Sequence, residues 1–316
     1  MTSGPVLVTG AAGFAGSHLI EHLTGRADLI GWSRFDPPLE VTTLAKWMRV
    51  DLLDRQRVRE AIAALQPAAV YHCAGAPHVA TSWQNTADVL ASNVMTTHSL
   101  LDALRRTSSP CRVLITGSAM VYAASHSALR EDDPLGPASP YALSKLAQEQ
   151  LGLRALAEDG IDVLVARPFN HTGARQLPTF AAPGMAQQIA RIERGLAPPI
   201  IEVGNLDAQR DLTDVRDVVR AYALLMGQGL PGTIYNVASG TARPMRAVLD
   251  ALIAQARVPI AISIDAGRLR RQDTPVLLGD ATRLREATGW SPAISFERML
   301  TDLLEYWRNR VTVPPS

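Results

Sequence analysis

The sequence predicts an α/β protein built on a doubly wound parallel sheet. Three observations predict it. Short apolar segments recur through the first half, and amphipathic stretches at helical spacing separate them. A parallel sheet buried on both faces requires such near-continuous apolar strands. The run Gly10-Ala-Ala-Gly13-Phe-Ala-Gly16 falls between the first apolar segment and the first helical one. In this class of sheet, that turn is where an anionic ligand meets a helix N-terminus.

In chain order, residues 6–9 read as the first strand and 13–23 as the first helix. Residues 29–32, 48–50, 69–73, 112–116 and 162–166 read as further strands. Between them, 55–65, 87–106 and 141–158 have helical periodicity. Past Arg167 the rhythm changes. Pro178, Pro183, Gly184, Pro198 and Pro199 punctuate the chain, and helical patterns return only at 215–226, 245–255 and 296–307. The expected organisation is a dinucleotide-binding domain over 1–167. A smaller α/β substrate-binding lobe over 168–316 follows, interleaved through segments that return to the sheet.

Bulk properties exclude some classes of function. The 316 residues carry a formal charge of +1 and are 47% hydrophobic. A balance so close to neutral gives no basis for nucleic-acid or acidic-lipid binding through net charge. Cys73 and Cys111 lie in apolar strand-like segments and make no disulfide framework, which suits a reducing cytoplasm. The N-terminus has no basic, apolar leader, and no window approaches the ~20 apolar residues of a membrane helix.

The glycine run has a physical reading. Gly10 permits the tight turn, Gly13 lets backbone approach a pyrophosphate, and Gly16 lets helix and strand pack closely. Phe14 and Ala15 stand in the same first helical turn, whose free N–H groups face the phosphates. The second strand ends in Ser33-Arg34, with no acid until Asp36. An acid there binds a ribose diol, whereas an arginine fork suits a 2′-phosphate. Ser33 and Arg34 therefore favour NADP(H), with NAD(H) the alternative. Asp51, just before Leu52, is placed to accept from an adenine amino group.

Ser118, Tyr141 and Lys145 carry the chemistry. Ser118 ends an apolar strand, so its hydroxyl belongs at the C-terminal edge of the sheet, where such folds hold ligands. Tyr141 follows Ser139-Pro140, a helix start, and Lys145 lies one turn on. A phenol has a pKa of roughly 10, and a nearby ammonium brings it toward the working range. A Tyr–Lys pair alone also occurs on ordinary helix surfaces. Its combination with the serine and the glycine turn points to hydride transfer at a C–O centre.

With those residues in hand, the chain resembles the extended short-chain dehydrogenase/reductase family, sugar-nucleotide branch. His72-Cys-Ala74-Gly75, Asn93, Gly117-Ser118, Tyr141-x-x-x-Lys145 and Arg167-Pro-Phe-Asn170 match its motifs. Arg167-Pro-Phe-Asn-His-Thr-Gly173, the run from Val203 to Asp211 and the run from Thr213 to Val219 look like the GDP-mannose members. Those members are the GDP-4-keto-6-deoxyhexose reductases and the 4,6-dehydratases. The segment from Arg268 to Asp280 is nearer the reductases. The resemblance implies that Tyr141 transfers the proton, Lys145 tunes it and binds ribose, and Ser118 holds the reacting sugar oxygen. It implies cofactor contacts from Ala74, Gly75 and Asn93. It implies sugar-nucleotide contacts from Ser82, Asn170, Arg175, Val203, Arg210, Arg270 and Asp273, with Arg210 and Arg270 on the pyrophosphate. It also implies a homodimer through the helices at 87–106 and 141–158.

Elimination of water from a hexose needs a further base at C5 and an acid at C6. The dehydratases carry a carboxylate in the stretch that here reads Ser118-Ala-Met-Val-Tyr122. Ala119 and Met120 transfer no protons, so the expected reaction is reduction of a C4 ketone. Reductases in this branch often carry an acid at the Met120 position, and this chain departs from them there. Asp132 and Asp133 precede Pro134 in a loop and read as capping residues. The rival readings are a C4 epimerase, which recycles a bound NAD, and a non-catalytic nucleotide sensor. His18 and His22 share a helix face without a third ligand, so no metal site is expected. His78 and His171 are polar residues able to reach a sugar hydroxyl, and Trp290 reads as a packing anchor.

Overall fold

Seven parallel strands form the central sheet. The computed structural model describes residues 4–107, 109–268 and 274–311. In the first half, β1 (Val6–Thr9), α1 (Phe14–Leu23), β2 (Leu29–Ser33), β3 (Lys46–Arg49), α2 (Arg55–Leu65) and β4 (Ala69–His72) follow in order. Then come α3 (Thr86–Leu90), α4 (Thr96–Leu104), β5 (Arg112–Thr116), α5 (Pro140–Asp159) and β6 (Asp162–Pro168). The second half opens with β7 (Asn170–Thr172), α6 (Ala181–Glu193), β8 (Ile200–Val203), β9 (Gln209–Asp214) and α7 (Val215–Gln228). It continues through β10 (Ile234–Val237), β11 (Ala242–Pro244), α8 (Met245–Ile253) and β12 (Ala261–Ile264). It closes with β13 (Val276–Leu277), α9 (Thr282–Thr288) and α10 (Phe296–Arg310).

The strand order in the large sheet is β10-β6-β5-β4-β1-β2-β3. The order reverses between β1 and β4, so the loops leaving those strands diverge to opposite faces and open a crevice. Side chains alternate between faces as the pleat requires. Val6 and Val8 enter one core with Leu19, Val215 and Leu225. Leu7, between them, enters the other core with Val58, Leu100 and Val113. Shortening a fully buried leucine such as Leu7 to alanine costs about 2–5 kcal/mol.

The second half contributes to both layers and adds a core of its own. β10 extends the large sheet beside β6. The sequence reading did not assign this strand, because Ile234–Val237 is four residues between glycines and carries a buried Asn236. Ile189, Ile201, Leu249 and Leu300 form a separate core from α6, β8, α8 and α10. β7, β9, β11 and β13 make a small sheet between the two regions.

Two further differences from expectation lie in the first half. The third strand begins at Lys46, paired with Ile30, rather than at residue 48. It is the sheet edge, and its exposed ends hide the apolar signal. The helix expected at 87–106 is interrupted by a π turn over Ala91–Met95. Such turns widen a helix by one residue and often serve functional sites. No helix among the described residues is long and apolar enough to cross a membrane.

Candidate active site

The cofactor half of the site lies over β1 to β3. Gly10 has φ +65°, and a Cβ there would lie 2.7 Å from the Ala74 backbone. Only glycine lets the turn after β1 pass so close to the chain leaving β4. A Cβ on Gly16 would likewise strike the Gly10 carbonyl, so α1 docks tightly on the turn. Phe14, Ala15 and Gly16 occupy the first turn of α1, where N–H groups have no carbonyl inside the helix to bond. The fold therefore offers backbone donors to a pyrophosphate at this point.

A cavity of about 160 Å³ adjoins that turn. Gly10, Gly13, Ser33, Arg34, Asp51, Leu52, Ala74 and Gly75 all line it. The sequence reading named each of these eight. It missed Phe35, Ser92 and Thr96, which also line the cavity and fall outside the motifs that drew attention. Ser33 Oγ accepts from Phe35 N at 3.0 Å, and the Arg34 guanidinium lies 5.6 Å from the Phe35 ring. Asp51 accepts from Leu53 N at 3.0 Å through one oxygen.

Asn93 is placed differently from the direct contact expected of it. It is fully buried in the π turn. Its Oδ1 accepts from Ala76 N at 2.7 Å, and its Nδ2 donates to Ser144 Oγ at 2.8 Å. Asn93 thus fixes the loop after β4 against α5. His72 braces the same region. Thr97 Oγ1 donates to Asn93 O, so His72 Nε2 must donate to Thr97, and Thr9 donates to His72 Nδ1. Burial holds His72 down to about 3, so the ring is neutral at working pH. Phe14 stacks on His171 at 5.7 Å and meets His18 edge-on at 5.6 Å, which locks its ring beside the turn.

The candidate catalytic half is assembled from β5 and α5. Ser118 leaves β5 and is buried, and its Oγ accepts from Met120 N at 3.2 Å. Ser139 caps α5 by accepting from Ala142 N at 3.1 Å, and Pro140 occupies the first helical position. This start places Tyr141 and Lys145 one turn apart. Lys145 is buried, and its Nζ donates to Thr116 O at 2.6 Å and to Gln148 Oε1 at 2.7 Å. Burial brings Lys145 down to about 8, against an upward pull from Glu149 and Cys73. Burial pushes the Tyr141 phenol up, and hydrogen bonding with Ser118 pulls it back.

A cleft of about 1080 Å³ opens beyond these residues. Val79, Trp83 and Gln84, which follow β4, line one wall. Asn170, His171 and Thr172, which follow β6, line another. β5 lies between β4 and β6, so Ser118 emerges between the two walls. Val203 and Arg210 also line the cleft. Arg210 Nη1 donates to Thr274 O at 2.8 Å.

Two expected substrate contacts are placed elsewhere. Ser82 is fully buried and donates to Val79 O at 2.6 Å, while its neighbour Trp83, 60% exposed, lines the cleft. Arg175 turns toward α1, where its Nη2 pairs with Glu21 at 2.6 Å. Its φ of +68° swings the side chain that way, which a motif match does not encode. Arg270 and Asp273 lie outside the described residues. His78 stacks on Phe180 at 4.8 Å. His171 Nδ1 donates to Phe169 O at 2.9 Å, leaving Nε2 as an acceptor. Trp290 is buried and donates to Asp217 O at 3.0 Å, as a packing anchor would.

A reversing parallel sheet with a glycine turn at the reversal, and a serine, a tyrosine and a lysine on the next strand and helix, defines an extended short-chain dehydrogenase/reductase. The family model described as GDP-mannose 4,6 dehydratase matches residues 7–303, and the chain belongs to that family. Its relatives include GDP-6-deoxy-D-mannose reductase of Pseudomonas aeruginosa. That protein is 36% identical over 97% of this chain and 98% of its own length. GDP-mannose 4,6 dehydratase 2 of Arabidopsis thaliana is 28% identical over 95% of this chain and 85% of its own. Among solved structures, RMD from Pseudomonas aeruginosa complexed with NADPH superposes with a TM-score of 0.86. It is 34% identical and covers 98% of this chain and 100% of its own. MoeE5 in complex with UDP-glucuronic acid and NAD gives the same TM-score at 28% identity, covering 98% and 100%.

Proposed function

We propose that this chain is an NADPH-dependent reductase of the C4 ketone of a GDP-linked 4-keto-6-deoxyhexose, yielding a GDP-6-deoxyhexose of the rhamnose type. The observation that carries the reading is the proton-transfer set where β5 meets α5. It holds Ser118, Tyr141 and Lys145, with alanine and methionine at 119 and 120. The similarity to a GDP-6-deoxy-D-mannose reductase supports the same reaction and the same nucleotide. Ser33 and Arg34 at the cavity support the phosphorylated cofactor.

Bound NADPH supplies the hydride. The protein does the rest. Gly10, Gly13 and the first turn of α1 hold the pyrophosphate. Lys145, fixed by Thr116 O and Gln148, presents its remaining donor to the nicotinamide ribose. Ser118 donates to the ketone oxygen and orients it toward the Tyr141 phenol. Burial keeps that phenol protonated at neutral pH, which suits a group that must deliver a proton to the developing alkoxide. Asn170, Val203 and Arg210 hold the sugar nucleotide, with Arg210 neutralising phosphate charge in the cleft.

The protein works as a homodimer through the helices at 87–106 and 141–158. Met95 and Leu143, 44% and 52% exposed, supply the apolar patches that pairing would cover. Unpaired Cys73 and Cys111 are in keeping with a cytoplasmic location. Turnover of the GDP-ketosugar with NADPH, compared with GDP-mannose and a dTDP-ketosugar, tests the reading. Conversion of another sugar nucleotide without net NADPH consumption replaces it with a C4 epimerase.

A further inference from the structure

Behind the catalytic residues lies a charged pair that the proposed chemistry does not use. Glu149 follows Lys145 by one turn of α5 and is fully buried. Arg167, at the end of β6, is also buried and grips it from one side. Its Nε donates at 3.1 Å to both oxygens, and its Nη2 donates to Oε2 at 2.8 Å. The guanidinium is itself held, by Glu131 O at 3.2 Å and by the Tyr122 ring at 4.8 Å. The other side of the Glu149 carboxylate faces the backbone that leads into Ser118. A Cβ on Gly117 would lie 2.5 Å from Oε1. Glycine at 117 therefore admits the carboxylate to that backbone.

We infer that Glu149, locked by Arg167, is a positioning residue that sets the Ser118 backbone and holds the charge of the Lys145 ammonium. The arrangement joins two catalytic residues to one buried anion. A buried carboxylate with no cation would shed its charge by taking up a proton. The guanidinium, bonded through both Nε and Nη2, keeps Glu149 ionised, although burial pushes its carboxyl up. The ionised group opposes the desolvation that drives Lys145 down. The other titratable groups facing Lys145 are Tyr141 on its own helix and His72 and Cys73 on the β4 side. His72 is neutral and the Cys73 thiol is pushed up to about 12, so Glu149 is the resident anion.

The chain contains two lysines, Lys46 and Lys145, and Lys46 is 73% exposed. Lysine labelled with carbon-13 at Cε therefore gives one solvent-exposed reference signal and one signal from the site. The experiment titrates both signals in the full chain, for wild type and Glu149→Gln. In wild type, Lys145 should titrate near pH 8. Glu149→Gln should lower that midpoint by at least ~1 unit and leave Lys46 unmoved. If Glu149→Gln does not fold, the double variant with Arg167→Met removes both charges and leaves none unpaired; its Lys145 midpoint should fall in the same direction by less, still more than ~0.3 unit, because the guanidinium's opposing charge leaves with the carboxylate. A midpoint within ~0.3 unit of wild type in either folded variant overturns the inference.

A second arm rests on the proposed reductase reading. There, kcat with the ketosugar should fall at least ~10-fold in Glu149→Gln, and its high-pH limb should move down with the lysine. Wild type that fails to reduce the ketosugar would sink the reductase reading alone, because the lysine titration needs neither substrate nor cofactor. Normal kcat and an unmoved limb in the variant overturn the positioning role.

Discussion

Lys145 Nζ donates to the carbonyl oxygen of Thr116 at 2.6 Å. One bond thus ties the helix carrying the lysine and Tyr141 to the strand that leads to Ser118. The proposed catalytic residues are held as a unit because they come from two elements cross-linked at that point. The same ammonium is buried, so its charge state governs both chemistry and stability.

Lys145 should impose a pH limit. In the proposed mechanism its ammonium binds the cofactor ribose, and burial brings its pKa down to about 8. Reduction should slow as pH rises through about 8, read as kcat against pH at saturating NADPH. Stability should move the other way. Between about 8 and the usual lysine value, the unfolded chain binds a proton that the folded chain has released. The fold should then gain stability with rising pH, on the order of 3 kcal/mol from this group. Melting curves across that range check the sign. An unchanged rate through pH 9 contradicts the role given to the lysine.

Tyr141→Phe removes the proton donor and keeps the ring. The expected loss in kcat is roughly 10²–10⁴-fold. NADPH affinity, measured by fluorescence titration, should change little. Turnover near wild-type level would show that another group protonates the sugar oxygen.

Arg34→Ala tests the cofactor choice. A charge-assisted hydrogen bond contributes about 1.5–3 kcal/mol. NADPH should therefore bind roughly 10- to 100-fold more weakly, with NADH binding nearly constant. Equal weakening of both cofactors would mean that Arg34 stacks or packs without reading the 2′-phosphate.

Asp102 supplies an acid-sensitive brace. It is buried between α2 and α4, and Arg59 and Arg105 each donate to it through Nε and Nη2. Those arginines and Arg106 hold its carboxyl well below the usual range despite burial. Its contribution is full above the ordinary aspartate pKa, roughly 4, and is lost as pH falls through the depressed value. Asp102→Asn should cost about 2 kcal/mol at pH 7, discounted because the arginines are partly exposed, and should flatten the acid side of the melting profile. An unaltered acid limb would assign that limb to other carboxylates.

Leu143→Glu should split the dimer. Sedimentation of wild type should give two chains per particle at micromolar concentration, and the variant one. A monomeric wild type removes the dimer from the account.

The parts legible in the sequence are those with local physical signatures. Val6–Thr9 and Arg112–Thr116 announce themselves as buried strands because every residue but Arg112 is apolar or small enough to bury. Gly10, Tyr141 and Lys145 are legible because a turn and a helix face fix their spacing. The parts missed depend on pairing at a distance. β10 joins the sheet only through β6, and nothing in Ile234–Val237 says so. The direction of Arg175 follows from its left-handed backbone and from Glu21, 154 residues away. The Glu149–Arg167 pair was invisible for the same reason: Arg167 was seen only as part of a motif, and its partner sits on another element.

The central claim is reduction of a GDP-linked 4-ketosugar, and its most direct test is the loss of NADPH absorbance with freshly generated GDP-4-keto-6-deoxy-D-mannose. GDP-mannose and the dTDP-linked ketosugar run beside it. The account predicts rapid, stoichiometric NADPH oxidation with the GDP-ketosugar alone, and a product whose NMR spectrum shows a C4 hydroxyl. Silence with the GDP-ketosugar, or dehydration of GDP-mannose by the same preparation, would contradict it.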